Sequence, residues 1–83
     1  KYPQAKKIYS QFLKNHPQND AVRLKLARVL SWMSNYEDSL EHYKLLVQHK
    51  PEDIQLKRQY AQVLIWAGKY EQAIKELRGS FND

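Results

Sequence analysis

Eighty-three residues are enough for one small compact domain; a chain of that size buries only about 60 to 65% of its unfolded surface, so its core must be simple and repetitive. The 42% hydrophobic content with only two Gly and three Pro suits a folded, mostly helical chain, and the lack of cysteine removes disulfides, thiolate metal sites and cysteine nucleophiles. No apolar run approaches the roughly 20 residues of a membrane span, and the net charge of +5 comes from basic residues scattered among acids, a solvated surface rather than a nucleic-acid-binding stripe.

Taken in chain order, the helix-period spacing of apolar residues predicts five helices at roughly 2–15, 20–33, 36–49, 53–67 and 70–78. The first carries Ile8, Tyr9 and Phe12 on one side, an apolar face that invites either a further repeat or self-association. Pro17 ends it and leaves Asp20 free to cap the second helix or to favour its positive end; the stripe of that helix is Val22, Leu26, Val29, Leu30 and Met33. Glu37, Asp38 and Glu41 open the third, where carboxylates complement the helix dipole, and its stripe is Leu40, Tyr43, Leu46 and Val47. Pro51 and Asp53 then play the parts of Pro17 and Asp20 before Leu56, Tyr60, Val63, Leu64 and Ala67. Gly68 permits the left-handed corner into the last helix, with Tyr70, Ala73, Ile74 and Leu77, which Gly79 and Ser80 should interrupt.

The chain repeats itself at a shift of 34 residues. Tyr2, Tyr36 and Tyr70 fall into register, as do Tyr9 with Tyr43, Pro17 with Pro51, Ala27 with Ala61, and Trp32 with Trp66. Small residues at Ala27, Ala61 and Ala73, the aromatic at Tyr9 and Tyr43, and the prolines at Pro17 and Pro51 together resemble the tetratricopeptide repeat, with Ser34 and Ser39 standing where Gly68 and Ala73 keep the family pattern. The resemblance covers essentially residues 2–77. It implies an all-α fold, a right-handed α-solenoid of antiparallel helix pairs with about two and a half repeats. Residues 1–19 are then the second half of one unit, 20–53 a full repeat and 54–83 nearly another, the whole 1–83 reading as one helical-repeat domain cut from a longer array.

Catalysis has little to work with. His16, His42 and His49 read as surface histidines; His42 and His49 sit seven residues apart, about 10 Å along one helix, too far to share a metal without a third ligand. No serine has a glycine-rich elbow, and neither a Walker loop nor a dinucleotide fingerprint is present, so the reading is of a non-enzyme with no cofactor and no metal. Function then falls to a surface. Around the second and fourth helices a flank about 100° from the core stripe collects Lys25, Arg28 and Trp32 in one and Gln59, Gln62 and Trp66 in the other.

The resemblance implies that this flank lines a concave groove for a protein or peptide partner, with Arg58 added to the candidate ligand residues. The carboxylate clamp of some family members uses asparagines where Lys25, Arg28, Gln59 and Gln62 stand here. The twice-present pattern A-x-V-L-x-W-x-x-x-Y-x-x-[AS]-[LI] is also similar to repeats of periplasmic proteins that assist exopolysaccharide export, which implies a sugar polymer as the alternative ligand. The compartment, bacterial periplasm or cytoplasm, stays open. Two roles remain open for the tryptophans at this point: packing in the seam between repeats, or a ladder of rings along the groove.

Overall fold

The computed structural model describes the backbone of residues 1–81 and the side chains of residues 1–78, and residues 82 and 83 of the expected last unit lie outside the described residues. Among the described residues five helices follow one another: α1 (Tyr2–Asn15), α2 (Asp20–Trp32), α3 (Tyr36–His49), α4 (Ile54–Trp66) and α5 (Tyr70–Phe81). Each packs on the next in sequence, giving the expected α-solenoid, elongated at 38 × 24 × 14 Å. A stripe that must be covered by the neighbouring helix produces this stacking, since no single helix pair has enough apolar area to enclose itself.

The starts of α2 and α4 are set by side-chain caps spaced 34 residues apart. Asn19 accepts from the Val22 N–H and Asp53 from the Leu56 N–H, both at 3.0 Å. Of the two parts open to Asp20, it takes the second: it is the first helical residue, an acid in the first turn, while Asn19, which matches Asp53, is the cap; the Asp20 carboxylate meets His49 Nδ1 at 3.1 Å. The α2 and α4 helices each end in a residue of positive φ, Ser34 at 64° and Gly68 at 80°. The fifth helix runs on through Gly79 and Ser80 to Phe81 rather than stopping at residue 78; a single glycine in a helix costs only about 1 kcal/mol, less than is needed to end one.

The main core joins α2 to α5 and is built on Tyr43, Leu46, Leu56, Tyr60, Val63 and Leu64, with Ala27, Ala61 and Ala73 allowing the axes to approach. A smaller cluster of Leu13, Leu26 and Leu30 fixes α1 to α2 and takes in Tyr9, which is therefore half-buried rather than on the bare face. Ile8 and Phe12 remain exposed. On α5 the expected stripe divides: Ala73 is buried in the main core, while Tyr70 and Ile74 are exposed. The same residues that define the core place Trp32 and Trp66 outside it, two residues beyond Leu30 and Leu64 at the ends of α2 and α4.

Candidate functional site

The flank shared by α2 and α4 holds a hollow of about 200 Å³ lined by Arg28, Ser31, Trp32, Tyr43, Gln59, Gln62, Val63 and Trp66. Five of the seven residues singled out in the sequence meet there: Arg28, Trp32, Gln59, Gln62 and Trp66. Lys25 and Arg58 do not line it; both are exposed, Lys25 on the same flank of α2 and Arg58 toward the Ile54 side of α4.

Each side chain is held by local structure. Trp32 is 55% exposed and Trp66 51%, so neither indole is seam filling alone; the Trp32 ring leans back on Tyr2 of α1, with centroids 5.6 Å apart. Each indole is thus partly covered and partly open to solvent. Ser31 folds its hydroxyl onto the Arg28 carbonyl at 2.7 Å, an interaction within the helix that keeps it out of the hollow's chemistry. Gln59 Oε1 accepts from Arg28 Nε at 3.4 Å and from the Tyr43 hydroxyl at 3.3 Å, which ties α2, α3 and α4 at one point.

Tyr43 was legible in the sequence only as a core residue. Its ring is indeed buried and stacks on Tyr60 with centroids 6.5 Å apart, but its hydroxyl emerges at the floor of the hollow. Burial pushes the Tyr43 pKa up and the nearby Arg28 guanidinium pulls the other way, so at neutral pH the group stays a neutral donor. The signal that could have found it is the residue type: a buried Tyr where Leu or Phe would pack as well implies a partner for the hydroxyl. The arrangement offers two aromatic faces, amides and a cation around a shallow apolar floor. It contains no pair of titrating groups able to exchange a proton with a ligand.

The family model of the tetratricopeptide repeat matches residues 1–58 and 33–80. The chain belongs to the tetratricopeptide-repeat family. It is a helical repeat scaffold, a fold that generally carries no catalysis and commonly binds protein partners. A solved structure of a mutant of MamA has the same fold, with a TM-score of 0.86 over 95% of this chain at 19% identity. The chain spans 43% of that structure's length. Among curated proteins, none matches the sequence. Among the described residues no helix is long and apolar enough to cross a membrane, and no three metal-ligating side chains gather.

Proposed function

We propose that the chain is a non-catalytic scaffold that holds an extended peptide segment of a partner protein across the flank of α2 and α4, with Trp32 and Trp66 as its anchoring rings. The observation that carries this reading is the pair of half-exposed indoles bordering one hollow floored by Tyr43 and Val63. Large aromatic side chains left half in water are costly for a small domain to display, and they are the residue type that dominates binding energy at protein interfaces. Arg28 is exposed and its bond to Gln59 is long, so an acidic side chain of the peptide displaces that bond at little cost. Lys25 and Arg58 add positive charge at the rim, which favours an acidic segment and speeds its encounter.

The test is selection of binders from a displayed library of linear peptides, followed by titration against variants. Trp32→Ala and Trp66→Ala should each weaken binding by at least about tenfold, while lowering stability by less than the roughly 3 to 5 kcal/mol of a buried aromatic. Arg28→Ala should weaken it in a salt-dependent way, and Gln62→Ala with little change in folding. Binding of a neutral sugar polymer instead, insensitive to salt and lost with either ring, would replace the peptide by the polysaccharide alternative. Unfolding of both tryptophan variants would refute the groove reading, since it would make the rings structural.

A further inference from the structure

The opposite side of α2 carries a second hollow of different chemistry. Arg23 lies five residues before Arg28, about 140° around the helix, and so faces away from the tryptophans. There Ser10, Leu13 and Lys14 of α1, Arg23 and Leu26 of α2, and His42 of α3 enclose about 240 Å³. Leu13 and Leu26 are buried and make the floor apolar, while the polar lining consists of two cations, a hydroxyl and an imidazole, with no carboxylate. An adjoining hollow that shares Ser10 and Lys14 adds Lys6 and Lys7 and again no acid.

The hydrogen bonds define which donors remain. Arg23 Nη2 donates to the Pro17 carbonyl at 2.8 Å and Nη1 lies 3.0 Å from His42 Nδ1. A guanidinium has donors only, so Nδ1 is the acceptor and the ring proton of neutral His42 sits on Nε2, where it is itself a donor. Arg23 Nε is cut off from solvent and has no acceptor. A buried donor on a cation left unpaired is costly, and structures rarely tolerate one without a ligand, water or ion nearby. The repeat does not require this cluster: the positions 34 residues after Lys7, Lys14, Arg23 and His42 are Glu41, Gln48, Lys57 and Glu76.

We propose that the hollow between α1, α2 and α3 is a binding site for a tetrahedral dianion of the phosphate class, held by Arg23 and Lys14 with the His42 Nε2–H and the Ser10 hydroxyl as neutral donors. A carboxylate is the poorer fit. It is best met by an arginine fork free to turn its parallel N–H groups to the ligand, whereas one N–H of each Arg23 Nη is fixed on Pro17 or His42 and only the second N–H of each is left for a ligand. Single donors arriving from three helices suit an anion that accepts one bond on each of several oxygens.

The site also makes a definite statement about His42. Burial first, and Arg23 second, hold its pKa below the ordinary histidine value, while Glu41 and Asp38 of its own helix pull upward. The other charged group lining the hollow is Lys14 of α1, beside Arg23 of α2. A bound dianion opposes both cations, so it must raise the His42 pKa, and by linkage it must bind more tightly as His42 takes a proton.

The experiment is an NMR titration of the 83-residue chain with sulfate, which stays a dianion across the histidine range, against chloride at matched ionic strength. Sulfate should move the resonances of Ser10, Lys14, Arg23 and His42 together, saturably, and raise the His42 pKa. Lys14→Ala, an exposed position, should weaken binding about tenfold. Arg23→Lys, which keeps the charge but loses the guanidinium's bonds to Pro17 and His42 and its remaining Nη donors, should weaken it too. Trp32→Ala should leave it unchanged, so this site and the peptide groove stand or fall separately. Competition by inorganic phosphate and by O-phosphoserine separates the sources: displacement by both indicates phosphate carried on a partner's side chain, displacement by phosphate alone a free anion. An unchanged His42 titration in sulfate, or shifts at Lys6, Lys7 and Lys50 as large as those at Lys14, would overturn the proposal.

Discussion

The helix pairs α2–α3 and α4–α5 turn the same corner with different residues. In one the left-handed position is Ser34 and in the other Gly68. Both corners close with the same bonds: Asn35 N–H to the Leu30 carbonyl and Lys69 N–H to the Leu64 carbonyl at 2.8 Å, with Ser34 N–H to Ser31 and Gly68 N–H to Ile65 at 3.0 Å. At the helix contact just beyond, Ser39 sits where Ala73 does, both essentially without exposure. The Ser39 hydroxyl is accommodated by donating to the Ala27 carbonyl at 2.7 Å. The corner is therefore imposed by helix capping and by burial of the following helix, and the residue at the corner either fits freely or is forced to fit.

The largest expected effect lies where the pairs agree. Ala27 and Ala61 are 0% and 1% exposed, and each lets a second helix approach. Ala61→Leu should destabilise by about 1 to 3 kcal/mol through overpacking, with Ala27→Leu alike, read as a fall in the urea midpoint at constant slope. Tolerance of leucine at one site only would show that the two pairs do not share their spacing. Next is Gly68→Val. A Cβ at Gly68 meets no atom within 4 Å, so the penalty is conformational alone. It should be about 1 to 2 kcal/mol, the cost of a left-handed residue with a side chain. A loss well beyond that would mean the Gly68 corner is packed more tightly than the Ser34 corner.

The two pairs also explain what was readable beforehand. The 34-residue register exposed the helix pairs, the small contact residues and the flank bearing Trp32 and Trp66, because these follow from periodicity, which one sequence carries in full. Asp20 reads equally as a cap or as a first-turn acid, since Asn19 and Asp20 are both good caps, and only the match of Asn19 to Asp53 decides that Asp20 is the acid. Arg23 with His42, and Tyr43 with Gln59, were not readable as pairs. They join residues 19 and 16 positions apart through side-chain reach across helices, and neither pairing recurs with the repeat. Half-burial of Trp32 depends on how closely Tyr2 of α1 approaches it, a packing distance that no pattern of residue types encodes.

A smaller effect is expected at Ser39. Removing its hydroxyl in Ser39→Ala loses one buried hydrogen bond but leaves the Ala27 carbonyl with its own helical donor, so the cost should be about 0.5 to 1 kcal/mol. The converse change, Ala73→Ser, should be close to neutral, because the Ala61 carbonyl stands at the matching register to accept the new hydroxyl. A clear loss from Ala73→Ser would break the equivalence of the two contacts.

An effect of similar size has the opposite sign. Ser34 holds a conformation that costs a residue with a Cβ about 1 to 2 kcal/mol, and Ser34→Gly removes that strain. Glycine also widens the unfolded ensemble, an entropic loss of about 0.4 to 1 kcal/mol. Relief of strain outweighs this entropic loss, so Ser34→Gly should raise stability by about 0.6 to 1 kcal/mol, the difference of these two ranges end for end. The change leaves the corner's own hydrogen bonds in place, since those at residue 34 are made by the backbone. Thermal unfolding of the variant beside the parent measures it, and an unchanged slope in urea confirms that the folded surface is the same. Loss of stability instead would mean that Ser34 contributes an interaction that Gly68 lacks, and the two corners would then share a shape without sharing its energetics.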